Sequence, residues 1–457
     1  MFSKDFAWGA ATSAYQIEGT APADGKGMHI WDVFCAEPNK IFDNHVGKYA
    51  CDHYHRYKED VQIMKKLGIK SYRFSIDWTR ILPNGTGKVN DEGIRFYNNL
   101  IEELLENGIE PYLTLFHWEF PYELYKKGGW LNSECVNWFS EYAKIVVQNF
   151  SDKVTKFITM NEPQCFLGLS YLRGEHAPGL LLPLRDTFHM AHNVLKAHGM
   201  AVKVLREYAK QPIQIGIAPT CGMTIPYSDK EEDINAARKA LFSMNQDIYN
   251  WTWNVSWFSD PIFLGHYPEE GMEKYASYLP EISKDDMELI SQPLDFMGEN
   301  IYNGVLIKAK DNGEFEVAGR EPGYVRTANN WPVTPECLYW GPKFLYERYQ
   351  KPIYITENGF CCHDVVSADG EVHDPNRIEF TTRYLRYLKK AVEEGVDVRG
   401  YFHWSLLDNF EWCQGYKDRF GLVHVDFKTQ ERIIKDSGYW YQKIIESNGE
   451  ILEDNNI

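Results

Sequence analysis

Three consecutive stretches decide the fold of this chain: KSYRFSI (70–76), NDEGIRFYNNLIEELLENG (90–108) and IEPYLTLFHW (109–118). The first and the third are short apolar runs rich in β-branched and aromatic residues, as buried parallel strands are. The middle stretch has the apolar spacing of an amphipathic helix, opens with Asn90 and acidic residues, and closes with Asn-Gly. Strand, helix and strand in this order predict one repeat of an α/β fold.

The same alternation continues along the chain. Amphipathic helices are also predicted at 53–68, which ends in Gly, and at 377–395. The strand-like runs are FAWGAATSAYQ (6–16), KSYRFSI (70–76), IEPYLTLFHW (109–118), VTKFITMNE (154–162), IQIGIAPT (213–220), LDFMGENIY (294–302), PIYITENG (352–359) and VRGYFHWSLLD (398–408). Eight strands alternating with helices predict a (β/α)8 TIM barrel with elaborated βα loops, and the lack of linker-like segments predicts a single domain over 1–457. A doubly wound open sheet is the alternative, but the G-x-G-x-x-G phosphate loop typical of that fold does not occur.

Composition and charge narrow the class of protein. The chain has 44% hydrophobic and 25% charged residues, as globular proteins do, and a formal net charge of −17. Because an acidic surface repels nucleic acid and anionic membranes, we expect neither as a partner. No stretch reaches the ~20 apolar residues of a membrane span, and the N-terminus lacks a signal-peptide pattern. Nine Cys without a C-x-x-C pair favour free thiols in a reducing compartment, so we expect a cytoplasmic protein, and a homo-oligomer is possible.

The ends of the predicted strands carry polar and aromatic side chains. Active sites of (β/α)8 barrels are built at the C-terminal ends of the strands. A chemically inert rim would end in small or solvating residues, whereas seven runs here end in groups that bind a polyol or do chemistry. These residues are Gln16, Arg73, His117, Trp118, Asn161, Glu162, Asn300, Tyr302, Glu357, Asn358 and Trp404.

Two carboxylates stand out among these residues. Glu162 in TMNEP and Glu357 in ITENG are 357 − 162 = 195 positions apart, so only the fold can bring them together. A single Glu after a strand is most often a salt-bridged rim residue. Two carboxylates that face one cavity are what glycoside hydrolysis needs, with one protonated and the other ionised. Spacing alone leaves inverting and retaining mechanisms open.

Residues near the two carboxylates suit supporting roles. Arg73 can hold a carboxylate in its ionised form, or it can form a structural salt bridge. Tyr302 can donate to a nucleophile, and Asn161 can hold a sugar hydroxyl beside an acid. His117 is either a sugar-binding donor or a core histidine bonded to backbone.

The segment HWSLLDNFEWCQGYKDRFG (403–421) combines aromatic and acidic residues after the last strand. Trp404 and Trp412 can stack on a pyranose ring, and Glu411 can accept hydrogen bonds from vicinal hydroxyls. The sequence has no cluster with metal-ligand spacing, no P-loop and no G-x-S-x-G motif, so we expect no metal and no cofactor.

These residues belong to motifs by which the chain resembles glycoside hydrolase family 1, the β-glucosidase family, nearly from end to end. The motifs are FAWGAATSAYQIEG, WDVF, YRFSIDWTRI, TLFHW, TMNEP, GHYPE, ITENG, HWSLLDNFEW and RFGLVHVDF. The resemblance implies a (β/α)8 barrel that cleaves terminal β-glycosides with retention and without a cofactor. It implies that Glu162 is the acid/base and Glu357 the nucleophile, flanked by Arg73 and Tyr302. The glycone pocket implied by the family comprises Gln16, His117, Trp118, Asn161, Asn300, Tyr302, Trp404, Glu411 and Trp412.

Two alternatives within the family are disfavoured by single residues. Phospho-β-glycosidases carry Ser, Lys and Tyr after the last strand, where this chain has Glu411 and Trp412, and a carboxylate would repel a phosphate. Thioglucosidases replace the acid by Gln, whereas Glu162 is retained. The substrate expected from the family is therefore an unphosphorylated β-glucoside or cello-oligosaccharide, with β-galactosides and β-fucosides also cleaved. Hydrolysis and transglycosylation share one intermediate, and the sequence does not separate them.

Three positions depart from the family pattern. Gln164 follows NEP where Trp is usual, and we expect it on the aglycone side of the site. Glu299 precedes Asn300 where an apolar residue is typical, and the third strand end reads HWEFP rather than HWDLP. Trp331 is the predicted platform for the aglycone. The preferred aglycone is therefore left open.

Overall fold

The computed structural model describes residues 1–19 and 24–453. Its central element is a sheet of eight parallel strands, one within each of the eight predicted runs. They are β1 (Ala7–Ala11), β2 (Ser71–Ser75), β3 (Glu110–Phe116), β4 (Lys156–Asn161), β5 (Gln214–Ala218), β6 (Met297–Asn300), β7 (Ile353–Asn358) and β8 (Val398–Trp404). Hydrogen-bonded neighbours follow the order β5-β4-β3-β2-β1-β8-β7-β6, which is the order of a (β/α)8 barrel. The predicted fold class is confirmed.

The barrel closes between β5 and β6 through individual hydrogen bonds rather than a full ladder. The backbone N–H of Asp295 donates to the carbonyl of Ile215 at 2.9 Å, and the N–H of Asn300 donates to the carbonyl of Pro219 at 2.9 Å. The Thr220 hydroxyl adds a bond of 2.9 Å to the carbonyl of Asn300. This seam makes the barrel nearly closed.

Helices occupy the connections between the strands. They are α1 (Ala14–Ile17), α2 (Ile30–Ala36), α3 (His53–Lys66), α4 (Trp78–Ile81), α5 (Asp91–Glu106), α6 (Tyr122–Tyr125), α7 (Cys135–Phe150), α8 (Pro163–Leu167), α9 (Leu184–Tyr208), α10 (Glu231–Phe242), α11 (Val255–Phe263), α12 (Glu269–Lys274), α13 (Lys284–Ile290), α14 (Cys337–Tyr349), α15 (Pro375–Glu393) and α16 (Asp436–Glu446). Shorter 3-10 and π turns are Phe42–Asn44, Gly129–Leu131, Gly168–Leu172, Ile248–Trp253, Trp412–Gln414 and Glu450–Glu453. Strands outside the barrel are Met223–Pro226, Gly304–Ala309, Phe315–Val317, Val423–Val425 and Arg432–Ile434.

The three predicted helices correspond to α3, α5 and α15, with ends within two residues of the predicted ones. Gly68 and Gly108 follow α3 and α5 with φ of +69° and +73°, the left-handed conformation that ends many helices. Asn90 lies at the cap position, but its side-chain amide donates to the carbonyls of Asp24 and Arg80, at 2.9 Å each, and does not accept from the helix.

The interior of the barrel changes from apolar to polar along its axis. Near the N-terminal ends of the strands, Tyr112, Phe296, Tyr354 and Phe402 pack together with ring centroids 4.8–5.7 Å apart. The ring of Phe402 leaves no room for a side chain at Gly9, where a Cβ would lie 2.4 Å from it. A second, larger core fills the space between the barrel and the helices. Polar side chains therefore concentrate at the C-terminal end of the barrel.

All nine cysteines are free, as predicted. Within residues 1–19 and 24–453, no helix combines the length and the apolar character that crossing a bilayer requires.

Glu299 is a buried carboxyl on β6 that faces the larger core. It is 1% exposed, and its Oε2 has no hydrogen-bond partner among the described residues. Burial raises the pKa of Glu299 well above its ordinary range, and the charge of Glu162 adds to this effect. Because the pKa in the folded state exceeds that of the unfolded chain, the protein loses stability as the pH rises above about 4.3.

We therefore expect Glu299→Leu to raise the free energy of unfolding at about pH 8 by about 1–3 kcal/mol, since the variant removes an unpartnered buried polar group. The gain should shrink at about pH 4, where the unfolded carboxyl is also protonated. Urea unfolding at both pH values measures the difference. Glu299→Gln is the matched control, because it keeps the shape and the polarity and removes only the titration of the carboxyl. An equal gain at both pH values would contradict this account.

Candidate active site

Glu162 and Glu357 lie at the C-terminal end of the barrel and line one cavity of about 470 Å³. Glu162 directly follows β4 with a left-handed φ of +46°, and Pro163 then starts α8. Such strain in a residue other than Gly is common at functional sites. Glu357 is the penultimate residue of β7, and both carboxyls are buried. The fold thus brings together two carboxyls that are far apart in sequence.

Glu357 is held by two charge-stabilising donors. The Arg73 guanidinium donates to Oε1 of Glu357 at 2.7 Å, and the Tyr302 hydroxyl donates to Oε2 at 2.7 Å. Burial raises the pKa of Glu357 above its ordinary value, and the charge of Arg73 and the hydrogen bond from Tyr302 oppose this rise in part. These two donors favour the ionised form of this carboxyl.

Glu162 has a neutral partner instead. The Asn300 amide donates to Oε1 of Glu162 at 2.8 Å. Burial raises the pKa of Glu162 to about 7, and the negative charge of Glu357 is the second cause. Burial is the larger of these two causes. The two carboxyls therefore differ in their environments in the way that an acid and a nucleophile require.

Asn161 connects the two carboxyls. Its Oδ1 accepts from Arg73 at 2.6 Å and from Asn300 at 3.0 Å, so its Nδ2 faces Nε2 of His117, at 3.1 Å. Because Nδ2 donates, Nε2 of His117 accepts, and the proton of this imidazole lies on Nδ1. Burial lowers the pKa of His117 well below its ordinary value, so the ring is neutral. Its Nδ1 has no partner among the described residues and remains a donor for a ligand.

Glu411 forms the opposite part of the site with Gln16. Gln16 donates through Nε2 to Oε2 of Glu411 at 3.2 Å and to Oδ1 of Asn409 at 3.0 Å. Burial raises the pKa of Glu411 to about 8, and the charges of Asp418 and Glu357 contribute. Glu411 is thus a polar group held in place within an aromatic environment.

Aromatic rings form the walls of the cavity. The ring of His117 is nearly parallel to that of Trp404, with centroids 5.7 Å apart, and Trp118 lies 4.5 Å from Trp412. Trp331 is 37% exposed, and its ring lies 5.1 Å from that of Tyr302. Apolar ring faces next to a few fixed polar groups are typical of sugar sites.

The predicted site residues fall into two groups. Those that line the cavity are His117, Trp118, Glu162, Tyr302, Trp331, Glu357, Trp404, Glu411 and Trp412. Gln16, Arg73, Asn161 and Asn300 lie behind this lining and reach it through hydrogen bonds. Gln164, which was expected on the aglycone side, is buried, and its Oε1 accepts from the backbone N–H of Thr220 at 3.4 Å.

Sequence reasoning missed the part of the lining that comes from long loops. These residues are Cys165, Leu169, Arg173, Glu175, His176, Thr220, Cys221, Gly222, Trp253, Asn303, Asn329, Cys413, Gln414 and Phe420. Only Thr220 ends an apolar run, and Cys413, Gln414 and Phe420 lie in the segment 403–421, whereas the others carry no local signal. Among the residues that the structure describes, no group of three or more His, Cys, Asp or Glu side chains is arranged to hold a metal ion.

A (β/α)8 barrel with two buried carboxyls beside an aromatic cavity defines a hydrolase of the glycosidase class. The family model "Glycosyl hydrolase family 1" matches residues 1–450, and the chain belongs to this family. The resemblance deduced from the motifs is thereby confirmed, and the protein is an enzyme.

Relatives and solved structures agree with this assignment. The chain is 48% identical to beta-glucosidase A of Thermotoga maritima over 457 residues, which cover 99% of each chain. It is 47% identical to the 1,4-beta-D-glucan glucohydrolase of Thermotoga neapolitana over 449 residues, which cover 98% of this chain and 99% of the relative. A structure of the beta-glucosidase from Thermotoga maritima in complex with glucoimidazole matches with a TM-score of 0.89 and 47% identity, covering 98% of this chain and 99% of that one.

Proposed function

We propose that this enzyme is a retaining β-glucosidase, with Glu357 as the nucleophile and Glu162 as the acid/base. The observation that carries the proposal is the unequal environment of the two carboxyls. Glu357 is bonded to Arg73 at 2.7 Å, whereas Glu162 has the amide of Asn300 as its partner. The guanidinium beside Glu357 favours its ionised, attacking form, whereas Glu162, with a pKa of about 7, holds a proton below neutral pH.

In the first step, Glu357 attacks the anomeric carbon while Glu162 gives its proton to the departing oxygen. A bond forms between Glu357 and the sugar, and the bond to the leaving group breaks. Tyr302 and Arg73 hold the attacking carboxylate in place, so little reorganisation is needed at the moment of reaction.

In the second step, Glu162 takes a proton from water, and the water attacks the anomeric carbon from the side that the leaving group left. The charge of Glu357 is absent in the covalent intermediate, so the pKa of Glu162 falls and the ionised form becomes available as a base. Two inversions at the same carbon give net retention.

The substrate class follows from the polar groups in the cavity. Glu411 and the Nδ1–H of His117 supply an acceptor and a donor for the hydroxyls of the terminal sugar, and Trp404 and Trp412 supply ring faces. The names of the two relatives, a beta-glucosidase and a glucan glucohydrolase, support a terminal β-D-glucosyl unit. We propose β-glucosides and cello-oligosaccharides as substrates, with β-galactosides and β-fucosides as slower ones. Phosphorylated sugars are not proposed, because Glu411 and Trp412 offer a phosphate no cationic partner.

A substrate panel tests this proposal. The values of kcat/KM are measured for aryl β-glucoside, β-galactoside, β-fucoside and 6-phospho-β-glucoside and for cellobiose, and the anomer released first is followed by proton NMR. The proposal requires the glucoside to exceed the phosphoglucoside and β-glucose to appear first. Release of α-glucose first would show inversion and would contradict the double-displacement mechanism. Trisaccharides formed at high cellobiose concentration measure how far a sugar replaces water as the acceptor.

The pKa of Glu162 sets the pH dependence. Since Glu162 must be protonated in the free enzyme, kcat/KM should fall as the pH rises above about 7. Glu357→Gln removes the negative charge that raises the pKa of Glu162, so this pKa should move down in the variant and remain above its ordinary value because burial persists. Carbon-13 NMR of labelled glutamate measures both values. A pKa of Glu162 that does not change would contradict the coupling between the two carboxyls.

A further inference from the structure

The loop after α8 begins with a π-helical turn, Gly168–Leu172, in which the N–H of Arg173 donates to the carbonyl of Gly168 at 3.0 Å. Single π turns insert one extra residue into a helix and are frequent at functional sites. Here the turn leads into Arg173 and Glu175, both exposed and both part of the cavity lining. The mechanism proposed above uses neither residue.

The π turn packs against a second loop element, the 3-10 helix Ile248–Trp253. A Cβ at Gly168 would lie 2.5 Å from the Thr252 hydroxyl, so only Gly permits this approach. The packing fixes Arg173, whose Nη2 donates to Oδ1 of Asn250 at 2.8 Å and whose guanidinium carbon lies 6.0 Å from the centre of the Trp253 ring. Two elements of the loop layer therefore hold this guanidinium at the edge of the cavity.

The other end of the segment is anchored to the glycone side. The ring of His176 lies 5.3 Å from that of Trp31 and 5.5 Å from that of Trp118. The Cys413 thiol donates to the carbonyl of Glu175 at 2.8 Å. Glu175 thus has a fixed backbone position relative to the aromatic wall, while its carboxylate lies at the exposed edge.

We infer that Arg173, Glu175 and Trp253 form a subsite for a sugar unit on the leaving-group side, beyond the unit directly bonded to the glucosyl group. The inference rests on the proposed function. A donor, an acceptor and a half-buried ring face are what a pyranose with free hydroxyls binds. Arg173, Glu175 and Trp253 are more exposed than the buried carboxyls of Glu162 and Glu357, so they lie nearer the mouth of the cavity. The leaving group extends in this direction and therefore meets them. Glu175 offsets the charge of Arg173, and this balance favours a neutral sugar over an anionic ligand.

The test compares kcat/KM for cellobiose, cellotriose and cellotetraose in the native enzyme and in Arg173→Ala and Glu175→Ala. We expect the native enzyme to prefer cellotriose over cellobiose by about five- to tenfold, the worth of one or two hydrogen bonds, with little further gain for cellotetraose. Each variant should reduce the cellotriose-to-cellobiose ratio. Arg185→Ala is the matched control, because Arg185 is an exposed arginine of α9 outside the cavity lining, and its ratio should equal that of the native enzyme.

The outcomes separate this inference from the proposed function. If the native enzyme cleaves aryl β-glucosides and cellobiose but shows no preference for cellotriose, or if both variants keep the native ratio, the subsite is overturned and the β-glucosidase assignment stands. Absence of cleavage of every β-glucoside by the native enzyme would overturn both. A carboxyphenyl β-glucoside, which has an anionic leaving group, tests whether the site binds anions instead. If Arg173→Ala loses kcat/KM on this anionic substrate and keeps the native cellotriose ratio, the site binds anions and the inference is wrong.

Discussion

Glu357→Gly should lose turnover of aryl β-glucosides by roughly 10⁴- to 10⁶-fold, in line with the loss of a nucleophile in other hydrolases. The reason is that the carboxylate which forms the bond to the anomeric carbon is gone, while Arg73 and Tyr302 are left without their partner. Azide should restore turnover, because a small anion fits the vacated volume and is attracted by the guanidinium of Arg73. A dinitrophenyl glucoside is the substrate of choice, since its leaving group departs without a proton.

The configuration of the product identifies the position that azide occupies. Azide in the place of Glu357 attacks opposite the leaving group, so a single inversion gives α-glucosyl azide, which NMR distinguishes from the β anomer. Glu357→Gln serves as the control, because its side chain fills the volume and should exclude azide. Circular dichroism of both variants reports whether they fold. β-Glucosyl azide from Glu357→Gly, or rescue of the Gln variant to the same extent, would place the nucleophile elsewhere.

Glu162→Ala should produce the second-largest effect, and the size of this effect should depend on the leaving group. For cellobiose, whose leaving oxygen needs a proton, we expect kcat/KM to fall by roughly 10²- to 10⁴-fold, which is the usual rate enhancement from general acid catalysis. For a dinitrophenyl glucoside, the first step should change little. The second step should still slow, because no base activates water, so the covalent intermediate accumulates and a burst of dinitrophenol precedes a slow steady state.

Azide acts on this variant from the other face of the sugar. It occupies the space of Glu162, attacks the covalent intermediate from the side that the aglycone left, and gives β-glucosyl azide. Glu162→Gln is the matched control that keeps the contact with Asn300 but cannot transfer a proton. The decline of kcat/KM above about pH 7 should be absent in both variants, since it reflects the ionisation of Glu162. Equal losses on cellobiose and on the dinitrophenyl glucoside would rule out Glu162 as the acid.

The supporting residues show where local sequence patterns stop being informative. Asn161 and Asn300 were assigned to the sugar, and the structure shows that both also bond protein side chains: Asn161 contacts Arg73 and His117, and Asn300 donates to Glu162. A strand-end position predicts that a side chain lies at the mouth of the barrel, and it does not predict whether another side chain lies in front of it. Gln16 similarly contacts Glu411 from behind the cavity lining.

The sequence by itself determined the eight strands, the main helices and the chemical groups at the strand ends. Periodicity and the residue after each apolar run are local properties. In a barrel, a residue at the C-terminal end of a strand lies at the active-site end, so these local properties also predict which residues line the site. Only the tertiary structure decided the different environments of the two carboxyls, because burial, the charge of Arg73 and the charge of Glu357 near Glu162 arise between residues far apart in the chain. It also decided the leaving-group side of the cavity, where Arg173 and Trp253 are brought together by the packing of two loop elements.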